Sequence, residues 1–245
     1  MESKIHISLP AQTLFHIGEF PVTNTLLITW VIMMLLIVFS YIVSRKLKNN
    51  PGKLQTVVEM AIGGIYGLFE KVTGKHTPKF FPLLATIFLL VLFVNWTELL
   101  PGMESLYIKV MENGHQTHVP ILRAPSTDLN FTLALALVAV AFIQFFGLKN
   151  LGISYLGKFI SFKNPIDFFV GILEIISEFA KVVSFAFRLF GNIFAGEVLL
   201  IVVASLVPLF APLPFLALEL FVGFIQAIVF SMLTAVFLNV AVTKH

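Results

Sequence analysis

Apolar runs of about twenty residues or more recur along this chain and constrain its fold more than any other feature. A helix of that length crosses the hydrocarbon core of a bilayer, which is roughly 30 Å thick. Of the 245 residues, 58% are hydrophobic and 12% are charged, whereas a soluble domain carries about a quarter charged residues. A single water-soluble core cannot hide so much apolar surface, so lipid must cover it. The sequence predicts an all-α polytopic membrane protein with about five transmembrane helices, near residues 22–44, 81–100, 129–148, 166–207 and 215–242.

Polar connectors separate the first four predicted spans. Residues 53–75 place apolar side chains at helical spacing between charged ones, which predicts an amphipathic helix at the interface or a connector. Residues 101–128 contain prolines and show no convincing periodicity, so they predict a polar loop. Residues 149–163 form a short lysine-bearing segment. These connectors leave each apolar run as a separate span.

The run at residues 166–207 is twice as long as a bilayer crossing requires. It contains no proline, and as one helix it would extend about 60 Å at ~1.5 Å per residue. The helix is therefore expected either to lie strongly tilted or to break, with Gly191 and Gly196 as the weak points.

An uncharged turn follows this long run. It holds Pro208, Pro212 and Pro214, and the final apolar run begins directly after it. The last two helices are therefore expected to form a long, strongly tilted hairpin. We expect the 245 residues to form a single integral membrane domain, in which residues 1–164 supply peripheral spans and connectors and residues 165–245 supply the hairpin.

The placement of lysine and arginine predicts the orientation of the spans, because cytoplasmic loops carry an excess of these residues. If the first span ends in the cytoplasm, about eleven basic residues fall on that side and three on the other. The three are Lys4, Lys109 and Arg123. The N-terminus is then outside and the C-terminus cytoplasmic. Residues 1–21 do not resemble a cleaved signal peptide, so the first run is expected to be a retained span.

Polar side chains are organised on one face of the long run. A charge near the bilayer centre costs roughly 2.5–3.5 kcal/mol on insertion scales, and such residues usually serve an ion or substrate path. At about 100° per residue, six polar side chains fall within a strip roughly 80° wide. They are Glu174, Ser177, Lys181, Ser184, Arg188 and Asn192. Glu178 lies at the flank of this strip.

Arg188 has a structural and a functional interpretation. A buried arginine can simply pair with a glutamate to hold two helices together. However, no acid stands three or four residues away on the same helix, so we expect its partner on another helix or another subunit. Glu197 falls on the opposite side of an ideal helix, and its expected neighbour is the final helix, where Glu219 and Gln226 share a face with Gly223.

Three segments carry a resemblance to a known family. Residues 188–197 read Arg-Leu-Phe-Gly-Asn-Ile-Phe-Ala-Gly-Glu, and they closely resemble the signature of subunit a of the F-type ATP synthase, the stationary membrane subunit beside the rotating c-ring. Residues 125–130, Pro-Ser-Thr-Asp-Leu-Asn, are similar to a second segment of that family, and residues 226–230 to a third. The order, spacing and five-span layout match over nearly the whole chain.

The resemblance implies roles for individual residues. Arg188 would be the essential arginine that faces the carboxylate of each passing c subunit. The half-channel open to the outside would be lined by Asn192, Glu197, Glu219 and Gln226. The cytoplasmic half-channel would be lined by Glu174, with Lys181 and Ser184. Several family members place a histidine at one of the two positions held here by Glu197 and Glu219, so the resemblance does not imply a detailed protonation route on the outer side.

The resemblance also implies the partners and the setting. They are the c-ring, the b subunits of the peripheral stalk and the lipid bilayer, in a bacterial plasma membrane. The chain would be a non-catalytic subunit of the complex, without a cofactor and without direct nucleotide binding, since no G-x-x-x-x-G-K-[ST] phosphate loop is present.

Other interpretations are open at specific residues. Asp128 could cap the third span or stand at the mouth of the outer channel. His115 and His118 lie in a polar loop without a further ligand nearby, so no metal site is expected. Basic residues flank apolar runs instead of forming an aromatic-interleaved patch, which disfavours nucleic-acid binding.

The alternative function is a stand-alone secondary transporter, although no internal repeat is visible. An intramembrane enzyme would need a pattern such as H-E-x-x-H, which is missing.

Overall fold

The computed structural model describes residues 11–45, 47, 51–100, 103, 107–112, 115–159, 165–207 and 210–243. Within these residues it contains four short strands and seven α-helices. The strands are β1 (Thr13–Ile17), β2 (Phe20–Thr23), β3 (Tyr107–Glu112) and β4 (His115–Pro120). The helices are α1 (Asn24–Arg45), α2 (Lys53–Thr73), α3 (Thr77–Thr97), α4 (Leu129–Leu151), α5 (Ile153–Leu156), α6 (Pro165–Leu206) and α7 (Pro212–Val242).

Among the residues that the structure describes, five helical segments are long and apolar enough to cross a membrane, which confirms the predicted number of spans. They are Asn24–Arg45, Lys53–Thr97, Leu129–Leu151, Pro165–Leu206 and Pro212–Val242. Their outward faces carry large apolar side chains, and on α1 the exposed fraction of Met34 reaches 66%. Side chains of this kind are stable on a helix surface only where lipid covers them. The chain is therefore a polytopic α-helical membrane protein.

The predicted bounds of the spans agree with the helices to within a few residues, with one exception in the second span. The amphipathic segment forms α2 and ends at Thr73, and the 3-10 turn Gly74–His76 joins it directly to α3. Gly74 has a φ of +50°, a left-handed conformation that favours glycine. Because α3 begins at Thr77, the second span starts earlier than the sequence pattern indicates.

The helix α6 shows no break in its 42 residues. Of the two outcomes that its length predicts, the interruption at Gly191 or Gly196 does not occur, because both glycines remain within the helix. Pro165 stands at its first position, where the missing N–H would be unsatisfied in any helix. α7 likewise begins at Pro212 and accepts Pro214 in its first turn.

Two β-hairpins were not predicted. β1 pairs antiparallel with β2, and Gly18 in the turn has a φ of +64°. β3 pairs with β4 in a continuous register from Tyr107–Pro120 to Glu112–His115. The prediction of an irregular loop over residues 101–128 was wrong for these strands, because each is short and lacks the alternation of apolar and polar residues that marks a half-buried strand.

The chain divides into two compact units, each built from three segments. The first unit comprises the described residues up to Ser40, Leu90–Thr132 and Arg188–Gln226. Its apolar core forms around Ile28, Ile32 and Val94, with partly buried side chains packed against them. Leu122 and Phe131 are among the latter, so α1, α3 and the approach to α4 share this core.

The second unit comprises Tyr41–Leu89, Leu133–Phe187 and the described residues from Ala227 onward. Its core includes several pairs of aromatic side chains. Phe80 on α3 meets Phe146 on α4 edge to face, with ring centroids 5.2 Å apart. Phe185 on α6 packs against Phe230 on α7 at 4.9 Å. The interaction between such paired rings stabilises the packing in addition to the effect of the apolar area that they bury.

Candidate functional site

The ten-residue segment 188–197 lies wholly in the first unit and is entirely helical. Leu189 and Ile193 are buried on one side of α6, with exposed fractions of 0% and 1%. Arg188 is partly exposed and Asn192, one turn later, is exposed. Because the two apolar residues pack into the unit, the polar positions stand at the edge of the buried face. An arginine so placed can extend toward a group outside this chain.

Asn192 is joined to the last helix by a side-chain hydrogen bond. Its Nδ2 donates to Gln226 Oε1 at 2.9 Å. Gln226 is buried, and its Nε2 has no hydrogen-bond partner among the described residues. A buried amide nitrogen of this kind costs free energy unless water or another acceptor reaches it. The pair therefore provides a polar contact between α6 and α7 with one donor available.

Glu219 meets α6 one turn further along, at Gly196. The Glu219 carboxylate lies where the Cβ of any other residue at position 196 would stand, so only glycine leaves room for it. Glu219 is 7% exposed. Together with the pair of Asn192 and Gln226, this contact shows that α6 and α7 run antiparallel in the first unit. The predicted face of α7 that carries Glu219 and Gln226 is therefore turned toward α6.

Glu197 lines a small cavity with a volume of about 110 Å³. Glu98, at the end of α3, lines the same cavity, together with Met103, Ala124, Leu200 and Ile201. A single water needs only about 10–15 Å³ of such volume, so the cavity accommodates several. The sequence predicts the final helix as the neighbour of Glu197, and this stays a prediction; on α6 the close approach of Glu219 is made at the preceding residue, Gly196.

Glu98 is a residue that the sequence interpretation missed. It stands at the end of a predicted span, two residues after Trp96 and three before Pro101. A carboxylate at the membrane end of a span was a usable signal, because ionisable residues there are costly and often functional. What the sequence could not show was that this end of α3 lies beside Glu197.

Asp128 caps α4. Its Oδ1 accepts a hydrogen bond from the backbone N–H of Asn130 at 2.9 Å, and its Oδ2 accepts one from Thr25 Oγ1 at 2.7 Å. Asp128 is 6% exposed. The first contact is that of a helix N-cap, and the second joins α1 to the start of α4. The capping interpretation is therefore shown by geometry, and a role at a channel mouth stays a prediction.

Asn95 forms a second polar contact that was not predicted. Ser126 Oγ donates to Asn95 Oδ1 at 2.6 Å, and Asn95 Nδ2 donates to the backbone carbonyl of Gly223 at 3.1 Å. Both side chains are buried. The neighbouring Trp96 donates from Nε1 to the carbonyl of Leu220 at 3.1 Å. These bonds attach the end of α3 to α7 and to the segment before α4.

The remaining predicted residues belong to the second unit. Glu174 pairs with Lys158 of the connector at 2.5 Å. Lys181 pairs with Glu178 at 2.7 Å, and its ammonium lies 4.7 Å from the centre of the Phe237 ring. Ser184 is exposed. The flanking Glu178 is therefore part of the charged group, although the sequence placed it at the margin.

The sequence is similar to known proteins over most of its length. The family profile described as ATP synthase A chain matches residues 26–239. A protein of Moorella thermoacetica described as ATP synthase subunit a is 33% identical over 232 residues, which cover 95% of this chain and 96% of that protein. One of Gloeobacter violaceus with the same description is 38% identical over 223 residues, 91% of this chain and 85% of its own length. A third, from Bradyrhizobium sp. and described as ATP synthase subunit a 2, is 33% identical over 96% of this chain and 95% of its own length.

Proposed function

Because this chain belongs to the ATP synthase A chain family, we propose that it is the stationary ion-translocating subunit of a rotary F-type ATP synthase. In this role it carries two offset proton half-channels, separated by Arg188, and couples proton flow to rotation of a ring of c subunits. Its direct partners are that ring, the b subunits of the peripheral stalk and the lipid around the spans. The chain itself is non-catalytic, and the complex makes ATP.

The observation that carries this proposal is the joining of polar residues across α6 and α7 within two turns of Arg188. Asn192 is hydrogen-bonded to Gln226, and Glu219 lies against Gly196. Buried carboxylate and amide groups in a membrane helix are costly unless they serve an ion path or satisfy one another. A line of such groups leading to one arginine is what a half-channel requires.

The distribution between the two units supports two half-channels. The outer group lies in the first unit and consists of Asp128, Asn192, Glu197, Glu219 and Gln226. The cytoplasmic group lies in the second unit and consists of Glu174, Lys181 and Ser184. Because each group packs within its own unit, protons can be exchanged at separate places. Glu98 joins the outer group through the cavity that it shares with Glu197.

Arg188 acts by its permanent charge. A guanidinium stays protonated at any biological pH. Beside a ring carboxylate in a low-dielectric site it favours the ionised form and promotes release of the proton. The same charge repels a proton that would pass directly from one half-channel to the other. Each proton must therefore travel with the ring, and its flow becomes torque.

The orientation proposed from the sequence places the N-terminus outside and the C-terminus in the cytoplasm of a bacterial plasma membrane. About eleven basic residues against three support it. In this orientation Glu98 and Asp128 stand at the outer ends of their helices, and Lys158 stands on the cytoplasmic side.

Replacement of the arginine tests the proposal. In inverted membrane vesicles that contain the whole complex, Arg188→Ala is expected to abolish ATP-driven proton pumping while the soluble catalytic sector still hydrolyses ATP. Arg45→Ala, at the end of α1, removes a cation from a different helix and is expected to pump normally. Normal pumping by Arg188→Ala would refute the central assignment.

Crosslinking distinguishes this function from a stand-alone transporter. The chain has no cysteine, so a cysteine placed at Ser184 or Asn192 is the only one in the subunit. Both positions are exposed on α6. Each is expected to crosslink to cysteines on a c subunit close to its ion-binding carboxylate. Failure at both positions in an assembled complex would favour the transporter.

A further inference from the structure

The connector between α4 and α6 is fixed to α4 by Tyr155. The side chain is 4% exposed, and its hydroxyl donates to Gln144 Oε1 at 2.8 Å. Its ring fits against Gly147, where a Cβ would come within 2.6 Å of ring atoms. A neighbouring ring, that of Phe159, packs at 5.6 Å. The described part of the connector therefore has a defined position on α4.

This position brings Lys158 to α6. Lys158 follows Tyr155 by three residues, and its Nζ lies 2.5 Å from Glu174 Oε1. The two side chains are 34% and 25% exposed, respectively. A partly exposed pair of this kind contributes little to the stability of a fold. Its main effect is therefore to fix the position of the Glu174 carboxylate.

Lys158 also lines a cavity, which we call the connector cavity. This connector cavity has a volume of about 550 Å³ and lies between the end of α4, the connector and the end of α7. Its polar lining includes Asn150, Ser154 and Thr243. A single water needs only about 10–15 Å³ of such volume, so the cavity has room for many. Lys158 thus lines this cavity and also pairs with the Glu174 carboxylate.

We propose that the connector cavity is the cytoplasmic mouth of the proton path, and that Lys158 is a positioning residue that holds the Glu174 carboxylate at its inner end. This inference rests on the proposed function, which places Glu174 in the cytoplasmic half-channel. An ammonium has three N–H donors and no acceptor. One donor engages Glu174 and the others order water in the cavity, so protons pass from that water to the carboxylate without the lysine being consumed or deprotonated.

The neighbouring charges are compatible with this role. Glu178 is paired with Lys181 on the same helix, so that lysine already has a carboxylate partner. Lys79 on α3 donates to Asn150 Oδ1 at 2.6 Å, and Asn150 lines the cavity. Lys158 is the lysine that both lines this cavity and contacts Glu174.

Replacement of Lys158 in the intact complex tests the positioning role. In inverted vesicles, Lys158→Gln is expected to lower ATP-driven proton pumping by about tenfold, because a displaced carboxylate no longer meets the ordered water. Lys158→Arg keeps a donor to Glu174 and is expected to restore at least half of the rate. Combining Lys158→Gln with Glu174→Gln is expected to be no worse than Glu174→Gln alone. Lys149→Gln removes a charge from the same end of α4 and serves as the matched control.

Labelling tests the cavity without relying on activity. Ser154→Cys places the chain's only cysteine in the cavity wall. A membrane-impermeant maleimide is expected to label it from the cytoplasmic face and thereby to block proton pumping. The control is Ile153→Cys, whose side chain is 86% exposed and outside the cavity lining; it is expected to be labelled without loss of pumping.

The outcomes separate this inference from the proposed function. If Arg188→Ala abolishes pumping but Lys158→Gln pumps normally, or if Lys158→Arg is as inactive as Lys158→Gln at equal assembly, the positioning role is refuted. If labelled Ser154→Cys pumps normally, or the cysteine is reached only from the outside, the cavity is not the cytoplasmic mouth. If Arg188→Ala itself pumps normally, the proposed function fails first.

Discussion

The Glu219 carboxylate occupies the space beside Gly196 that a Cβ at this position would need. Glu219 is 7% exposed, and it comes from α7 whereas Gly196 lies on α6. The close approach of the two helices at this point depends on the missing side chain. Gly196 thus determines the position of a proposed proton-carrying carboxylate, although it has no side chain.

Gly196→Ala is expected to lower proton pumping by about tenfold or more in vesicles, because the added methyl group must push the Glu219 carboxylate away from its position. The chain should still assemble, since the displaced atoms are the end of a flexible side chain. Pumping and the amount of subunit in the membrane are measured together.

The control and the rescue follow from the same geometry. Gly67→Ala adds a methyl group at a helical glycine where a Cβ would meet nothing within 4 Å, so it is expected to pump normally. In the Gly196→Ala background, Glu219→Asp shortens the acid by one methylene and should recover part of the lost rate. A Gly196→Ala variant with the full wild-type rate would contradict the assignment of this contact.

The hydrogen bond between Asn192 and Gln226 predicts coupling between the two positions. Each single substitution to alanine removes the same 2.9 Å bond, so the double variant should be little worse than the more damaged single one. We expect a coupling of about 1 kcal/mol, typical of contacting residues and equivalent to roughly a fivefold non-additivity in pumping rate. Pumping rates of the four members of the cycle provide the measurement. Strictly additive losses would show that the two side chains act separately.

Hydropathy made the fold of this chain predictable, whereas contacts between distant segments were not. The predicted run near residues 129–148 forms α4. An apolar segment in lipid must satisfy its backbone hydrogen bonds within itself, so it forms a helix whatever its neighbours are. The polar strip around Arg188 followed from helical spacing alone. Spacing shows which face a residue occupies but not what it meets, so the pairing of Lys158 with Glu174 and the proximity of Glu98 to Glu197 needed coordinates.

The glycines illustrate the same limit. When the long run is considered without its neighbours, Gly196 predicts a possible break in the helix. In the structure it is the place where a second helix approaches, and the helix stays intact. The strands β3 and β4 were missed because each is held by pairing with the other, and neither carries a strong alternating pattern of its own.

Asp128 allows its two interpretations to be separated. Asparagine is as good an N-cap as aspartate, whereas loss of the cap to alanine costs about 0.5–2 kcal/mol. If Asp128 acts only as the cap that also accepts from Thr25, Asp128→Asn should pump normally and Asp128→Ala should unfold at a lower temperature. If it also carries protons at the outer mouth, Asp128→Asn should lose pumping while its thermal stability is kept. Thermal unfolding of the purified chain and pumping in vesicles are compared for both variants.

Tyr155 should be titratable only in strongly alkaline solution. Burial raises the pKa of its phenol to about 12, and the charges of Glu178 and Glu174 add to the increase. The unfolded chain has the ordinary pKa of about 10, so the folded chain holds the proton more tightly. The contribution to stability is therefore complete below about pH 10 and is lost as the pH rises toward about 12. At the working pH the hydroxyl is a permanent donor to Gln144.

Tyr155→Phe removes that donor and the hydrogen bond to the partly buried Gln144 oxygen, which is expected to cost about 0.5–1.5 kcal/mol. The matched control is Tyr41→Phe, because Tyr41 is 56% exposed on α1; its substitution should change stability by less than about 0.5 kcal/mol. Thermal unfolding measures this cost in stability. In an alkaline titration, the tyrosinate absorbance that appears near pH 12 should be missing in Tyr155→Phe and present in Tyr41→Phe. If the purified Tyr155→Phe chain unfolds with wild-type stability, the connector is not held on α4 by this bond. If Tyr155 instead titrates near pH 10, its phenol is not buried as described.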